Sequence, residues 1–340
     1  MKKFISFLLS FAFAGSLFAQ MSGYSSGSYS DGTTLGANET LTADGIALGN
    51  AVKLRGFADF RYHYEDDGAP NNDSADFKSA ADLDFLLNLS SGVSGEIHIA
   101  ASPDAGNGSE VDLEQVFGRY SINENFHLTF GRQLSALGFE QDEAPLLYTV
   151  TSAYDDITGD KHGRSGNYID GLRLNYNNGM FGFIFGIYDD YWVGQHDLND
   201  HVAIDIAASV MFFPGLEGRI GFAHENNDAP GDDDINQFNT WLAWNPSALT
   251  LAAELDIFDV KGNDLWSLML LANYQFSDWF AGTLRYTHED DDDSNAQTDR
   301  ITLALLFTLT ENLDLNVEYS HSDRENADVD EFLVQGLLSF

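Results

Sequence analysis

Residues 298–309 read TDRITLALLFTL. Thr298, Arg300, Thr302 and Thr308 fall on one side, and Ile301, Leu303, Leu305, Phe307 and Leu309 on the other. Side chains of an extended chain point alternately to opposite faces, so this period of two predicts a strand with one polar and one apolar face. The pattern recurs at once. In 313–320, Asp314, Asn316, Glu318 and Ser320 oppose Leu313, Leu315, Val317 and Tyr319. Further back, Arg219 and Glu225 oppose Ile220 and Phe222, and Asp82, Asp84 and Asn88 oppose Ala81, Leu83, Phe85, Leu87 and Leu89. Earliest of all, Arg55, Phe57, Asp59, Arg61, His63 and Glu65, a mostly polar face, oppose Gly56, Ala58, Phe60, Tyr62 and Tyr64.

Sixteen such segments begin near residues 52, 77, 95, 110, 126, 166, 180, 202, 216, 235, 248, 264, 279, 297, 312 and 329. The period breaks near Gln115 and Gly131, where a bulge or a strand end would restore it. Every second connection is tight: 91–94, 123–125, 177–179, 214–215, 245–247, 277–278 and 310–311. The others are longer and mostly acidic or rich in Asn and Gly: 66–76, 102–109, 133–165, 190–201, 226–234, 259–263, 290–296 and 323–328. Aromatic residues gather at the tight-turn end, among them Phe126, Phe181, Phe212, Trp244, Phe276 and Trp279. An even strand count, short turns at one end, long loops at the other and an aromatic girdle predict a transmembrane antiparallel β-barrel of about 16 strands. A soluble sandwich also alternates, but its polar face meets water and carries an ordinary Lys and Glu mixture. Here the polar faces carry Arg61, Asp59, Arg219, Glu254, Asp256 and Arg300, and the regular segments lack Pro.

Composition narrows the function. Lys plus Arg is 16 against 54 for Asp plus Glu, a net charge of −38, which leaves nothing to neutralise nucleic-acid phosphates. With 26 Phe and 14 Tyr, the acidity sits on a folded chain, and with no Cys there is no disulfide or thiolate chemistry. Lys2 and Lys3 followed by the apolar run 4–18 and Ala19 predict a cleaved secretory signal peptide over 1–19. Residues 20–51, rich in Ser, Gly and Thr, read as a flexible arm, and 52–340 as the barrel domain. No later run of 18 apolar residues exists; the richest window, LWSLMLLA at 265–272, is too short for a spanning helix.

The C-terminal strand DEFLVQGLLSF, the stretch GRQLSALGFEQ at 131–141 and DGLRLNY at 170–176 resemble a Gram-negative outer-membrane porin, and in particular the OmpL-like β-barrel porin family. The resemblance implies an exported outer-membrane channel, commonly sixteen-stranded and homotrimeric, in contact with outer-membrane lipid and lipopolysaccharide. It implies that Phe340 belongs to a signal read by the outer-membrane assembly machinery. It also implies that the third long loop, 133–165, folds inward as a constriction. The charge of −38 departs from what the resemblance implies, a less acidic chain.

A sixteen-stranded barrel encloses an aqueous channel, so function follows from its lining. Arg55, Arg61, Arg119, Arg132 and Arg173 are expected on the inner wall of the early strands. Glu140, Asp142, Glu143, Asp155 and Asp156 are the acidic residues of the candidate constriction loop that would face them. Such a pairing would set a transverse field that orients dipolar solutes. The expected activity is passive diffusion of small hydrophilic solutes and ions, with a cation preference from the acidity. A solute-specific channel with Tyr148, Tyr154 and Trp241 on its track, or a structural or adhesive barrel with cation-binding acidic loops, are the alternatives. Asp291 and Asp293, in the acid run 289–293, are weak candidates for Ca²⁺ or Mg²⁺; no other cofactor is expected, and the run lacks the Gly of an EF-hand loop. No GxSxG, HExxH, Walker A or GxGxxG motif occurs, so no enzyme is expected.

Overall fold

The computed structural model describes residues 46–49, 51–68, 73–103, 110–140, 143–153, 168–192, 198, 202–226, 234–260, 263–291, 296–324 and 327–340. The expected signal peptide and most of the expected arm lie outside these residues.

A two-residue strand, β1 (Ile46–Ala47), precedes the barrel wall. The wall begins with β2 (Val52–Asp66), β3 (Ser74–Ser90), β4 (Val93–Ser102), β5 (Glu110–Ser121) and β6 (Phe126–Leu134). After the long third loop come β7 (Tyr168–Asn177), β8 (Phe181–Tyr188), β9 (Ala203–Phe213), β10 (Leu216–Glu225), β11 (Ile235–Trp244) and β12 (Leu249–Val260). It ends with β13 (Asn263–Ser277), β14 (Phe280–Asp291), β15 (Ala296–Thr310), β16 (Leu313–Arg324) and β17 (Ala327–Ser339). Each wall strand pairs antiparallel with its chain neighbours, and β17 pairs with β2, closing sixteen strands into one barrel. The seam is extended by Phe340, whose N–H donates to the Gly56 carbonyl while Gly56 N–H donates to the Phe340 carbonyl, both at 3.0 Å. Each strand starts within three residues of the position expected from the alternation.

The wall is apolar outside and polar inside. Phe60, Phe130, Leu172, Phe212, Ile220, Leu284 and Ile301 are exposed, whereas Asp84, His98, Gln115, Arg173, Asp256 and Glu318 are buried. A soluble sheet protein buries its apolar residues; an exposed apolar belt around a closed ring, with no open strand edge, suits hydrocarbon. Among the described residues no helix is long and apolar enough to cross a membrane.

The break near Gln115 is a register shift between β4 and β5. His98 faces Gln115 and Ile99 faces Leu113, which leaves Glu114 as the extra residue of a bulge. Two of the expected long loops are shorter than expected. Only 261–262 separates β12 from β13, and only 325–326 separates β16 from β17, because the strands continue into the expected loops. The acid run at 289–293 likewise begins inside β14, where Glu289 and Asp291 are buried, so it is not simply a solvated loop.

Candidate functional site

The inner wall is not uniformly polar. On β13, Leu265, Met269 and Leu271 alternate with outward residues and are buried, as is Ala252 on β12. Apolar groups facing a water-filled bore would be costly unless something covered them. The covering is residues 135–140 and 143–153, which follow β6 and lie inside the wall.

The segment starts on an apolar seat. Ala136 and Leu137 pack with Ile169, Ile184, Ala207 and Ala223 of β7, β8, β9 and β10. Gly221 of β10 makes room for them: a Cβ there would stand 2.3 Å from Leu137 Cδ2. Further on, Tyr148 and Ala153 pack with Ala252, Met269 and Leu271, and Phe139 stacks beside Tyr148 and edge-on to Trp241.

Hydrogen bonds tie the segment's backbone to inward side chains of the far wall. Arg219 Nη1 of β10 donates to the Ala136 carbonyl at 2.7 Å, and Gly138 N–H donates to Asn239 Oδ1 of β11 at 3.3 Å. Phe139 N–H donates to Glu254 Oε1 of β12 at 2.9 Å. Val150 and Thr151 N–H donate to Glu318 of β16, and the Thr151 hydroxyl does the same. Arg285 of β14 holds the largest share. Its Nη1 meets Glu140 Oε1 at 2.9 Å, Thr149 Oγ1 at 2.6 Å and the Thr151 carbonyl at 2.9 Å. Its Nη2 reaches Thr151 Oγ1 at 3.1 Å and the Ser152 carbonyl at 2.8 Å. The second Glu140 oxygen accepts from Ala153 N–H, so one carboxylate joins both limbs of the segment to the wall. Burial pushes the Glu140 carboxyl above its ordinary range, with Arg285 pulling it back in part. Burial likewise raises the Tyr148 hydroxyl.

The expected acid–base facing is arranged differently. Of the acidic residues, Glu140 pairs with Arg285, a residue of β14, and not with the early-strand arginines. Glu143 is buried within 4.8 Å of the carboxylates of Asp82 and Glu114. Asp142, Asp155 and Asp156 lie outside the described residues.

The early arginines are engaged by the wall. Arg55 Nε bonds Asp84 at 2.8 Å, with Glu96 at 3.9 Å. Arg61 pairs with Asp59 and is about a third exposed. Arg119 lies with its guanidinium 5.5 Å from the Phe117 ring centre. Arg173 is fully buried beneath the start of the segment, donating to Tyr188 Oη at 2.8 Å and to the Leu134 carbonyl at 2.7 Å. Arg132 is a correction. It faces Val116 and Asp170 across its two neighbours, on the outward side shared with Phe130 and Leu172, and pairs with Asp170 at 3.1 Å. Gly131 takes the inward position with φ of 114°, so the strand period turns Arg132 away from the bore. Asp291 is buried at the end of β14 and belongs to none of the three acidic or His-containing groupings of metal-binding geometry among the described residues; Asp293 lies outside those residues.

The alternation puts Arg219 and Glu318 on polar faces, but it gives neither of them, nor Arg285, a role at the constriction. One signal for their region was in the sequence: 265–272 is apolar on both faces, as a strand must be when lipid covers one side and an in-folded segment the other.

No protein-family model matches the sequence, and no curated protein matches it. Solved structures do match in fold. The anion-selective porin from Comamonas acidovorans superposes with a TM-score of 0.67 at 16% identity, covering 85% of this chain and 99% of that one. Salmonella typhi OmpF, solved with daunomycin, gives 0.66 at 14% identity over 86% and 98%. Pseudomonas putida OprB gives 0.65 at 12% identity over 85% and 94%. What these likenesses establish for the chain is its fold, a closed antiparallel barrel of sixteen strands of the kind found in outer-membrane porins.

Proposed function

We propose that the protein is an outer-membrane porin, a water-filled channel through which small hydrophilic solutes and ions diffuse passively past a constriction formed by residues 135–140 and 143–153. The observation that carries this is the seating of that segment against β10, β11, β12, β14 and β16 inside a closed barrel with a polar inner face.

The channel prefers cations. β3, β12 and β14 place Asp82, Asp84, Glu254, Asp256, Glu289 and Asp291 on the inner side, against Lys78 and Arg285. With a chain charge of −38, the mouth and bore raise the local cation concentration. The unit is a homotrimer in contact with lipid and lipopolysaccharide, assembled through the signal that includes Phe340. Vibrio cholerae OmpT, another structural relative, has a trimer form. The closeness to the OmpL-like family rests on the sequence stretches around 131–141 and 170–176 and belongs to the same proposal.

Purified protein in a planar bilayer tests the reading. Stepwise conductance and a reversal potential of cation sign across a KCl gradient are expected. A non-conducting barrel overturns the channel, and an anion-selective one overturns the charge argument.

A solute-specific channel is favoured by one observation, the aromatic group of Phe139, Tyr148 and Trp241 beside the crossing segment. Tyr154 lies outside the described residues. Saturable uptake of one solute in liposome swelling separates this reading from general diffusion.

A further inference from the structure

Asp82, on the inner face of β3, is 3% exposed, and neither of its carboxylate oxygens accepts a hydrogen bond from an N–H or O–H donor. Its polar neighbours are other carboxylates and the His98 ring, which lies within 4.8 Å of Asp82 and Asp84. Oxygens of Asp82, Glu114 and Glu143 lie within 4.8 Å of one another, and Asp84 stands beside them. A buried charge persists only where it is paired or coordinates a metal.

The ion pairs of the nearby cationic groups run to other acids. Arg55 Nε bonds Asp84, and Arg132 lies on the outer face with Asp170. His98 has Nδ1 on Asp84 and Gln115 and Nε2 on Glu96.

The three carboxylates converge from distant parts of the chain because of features that owe nothing to one another. Asp82 sits in regular register on β3. Glu114 is the extra residue of the β4–β5 bulge, a device that re-aims a side chain. Glu143 precedes the short 3-10 turn Ala144–Leu146, which is fixed by packing of Ala144 against Phe57 and Leu337. Apolar packing and a bulge therefore hold three like charges together.

We propose that Asp82, Glu114 and Glu143 bind one hard divalent cation, Ca²⁺ or Mg²⁺, which fastens the crossing segment to the wall at β3 and β5. The donor set is all carboxylate oxygen with no thiolate, and the neighbouring imidazole is turned to other partners. Calcium and magnesium take such oxygen ligands, whereas zinc and copper favour nitrogen and sulfur. The site joins the wall opposite to the one gripped by Arg285, so the segment is held at both sides of the bore. This stands on the docked position of the segment and not on conduction, and differs from the acid run at 289–293.

Equilibrium dialysis of the EDTA-stripped full chain in detergent, with Ca²⁺ alone and Mg²⁺ alone, tests the site. Wild type, D82N, E143Q and, as a control for weak binding at acidic loop ends, D323N are compared. One more ion per chain is expected in wild type and D323N than in D82N or E143Q, with affinity lowered roughly tenfold or more in the two variants. Added Ca²⁺ should raise the unfolding temperature of wild type but not of E143Q. E143Q keeps the test open if D82N fails to fold. Equal binding by all four proteins overturns the assignment, as does no binding of either ion by wild type, which would mean that the carboxylates share protons instead.

Discussion

Arg285 Nη1 and Glu140 Oε1 meet at 2.9 Å across 145 residues of sequence, one on the barrel wall and one on the segment that crosses it. The guanidinium is fully buried and spends five hydrogen bonds on four residues of that segment. Removing one partner of such a buried pair strands the other, which typically costs about 3–5 kcal/mol. R285A is therefore expected to loosen the segment while the barrel stays closed. Single-channel recording should show larger or noisier conductance with unchanged far-ultraviolet circular dichroism. Wild-type conductance in R285A would remove Arg285 from this role.

Gly221 and Leu137 predict a pair of opposed effects. A Cβ on Gly221 would stand 2.3 Å from Leu137 Cδ2, so G221V overpacks the seat and costs about 1–3 kcal/mol. L137A empties the same seat at a cost of about 2–5 kcal/mol. Because the two share one space, the double variant should be less destabilised than the sum. Denaturant unfolding of the four proteins in detergent measures the coupling, and strict additivity would place Leu137 elsewhere.

Glu140 predicts a pH dependence. Burial lifts its carboxyl above the ordinary value of 4.5 in the folded state, so folding favours its protonated form. The stability tied to that proton is fully present below the ordinary value and is lost as pH rises through the raised one. E140Q has no such proton to lose. Thermal unfolding between pH 4 and 8 should show a downward trend in wild type that is shallower in E140Q; identical slopes would assign the trend to other groups.

The Gly56–Phe340 seam predicts an assembly defect. A Cβ on Gly56 would lie 2.4 Å from the Asp82 carbonyl oxygen and 3.1 Å from the Phe340 ring. G56V, or deletion of Phe340 with its two backbone bonds, should reduce the fraction of closed barrel. Heat-modifiable migration on a gel reads that fraction, and full recovery in both variants would show that the seam tolerates its loss.

The wall was legible because lipid outside and water inside impose a period of two on strand after strand. Even the irregularity near Gln115 could be placed, since one extra residue shifts the period visibly. The internal arrangement was less legible for two reasons. Arg132 looked inward because an arginine in a barrel strand suggests the lumen, and only the register through Gly131 shows it outside. Arg285 and Glu318 gave no local sign of their importance, since their partners lie more than a hundred residues away in an irregular segment. The apolar inner positions Met269 and Leu271 were visible as an excess of hydrophobic residues, but a period of two cannot say what covers them.

Strand neighbours in the wall are chain neighbours, and the seam brings residue 340 beside residue 56. In its strand pairing the ring is therefore indifferent to where it is opened. A circular permutant joined through 340 and 52 and cut at the tight turn 214–215 keeps every strand pair of the wall. It changes the order of synthesis instead. In the natural order, 135–153 is made before its seats on β10, β11, β12, β14 and β16, and must wait for them. In the permutant those seats come first, so the two chains share one final structure while reversing which half waits for the other.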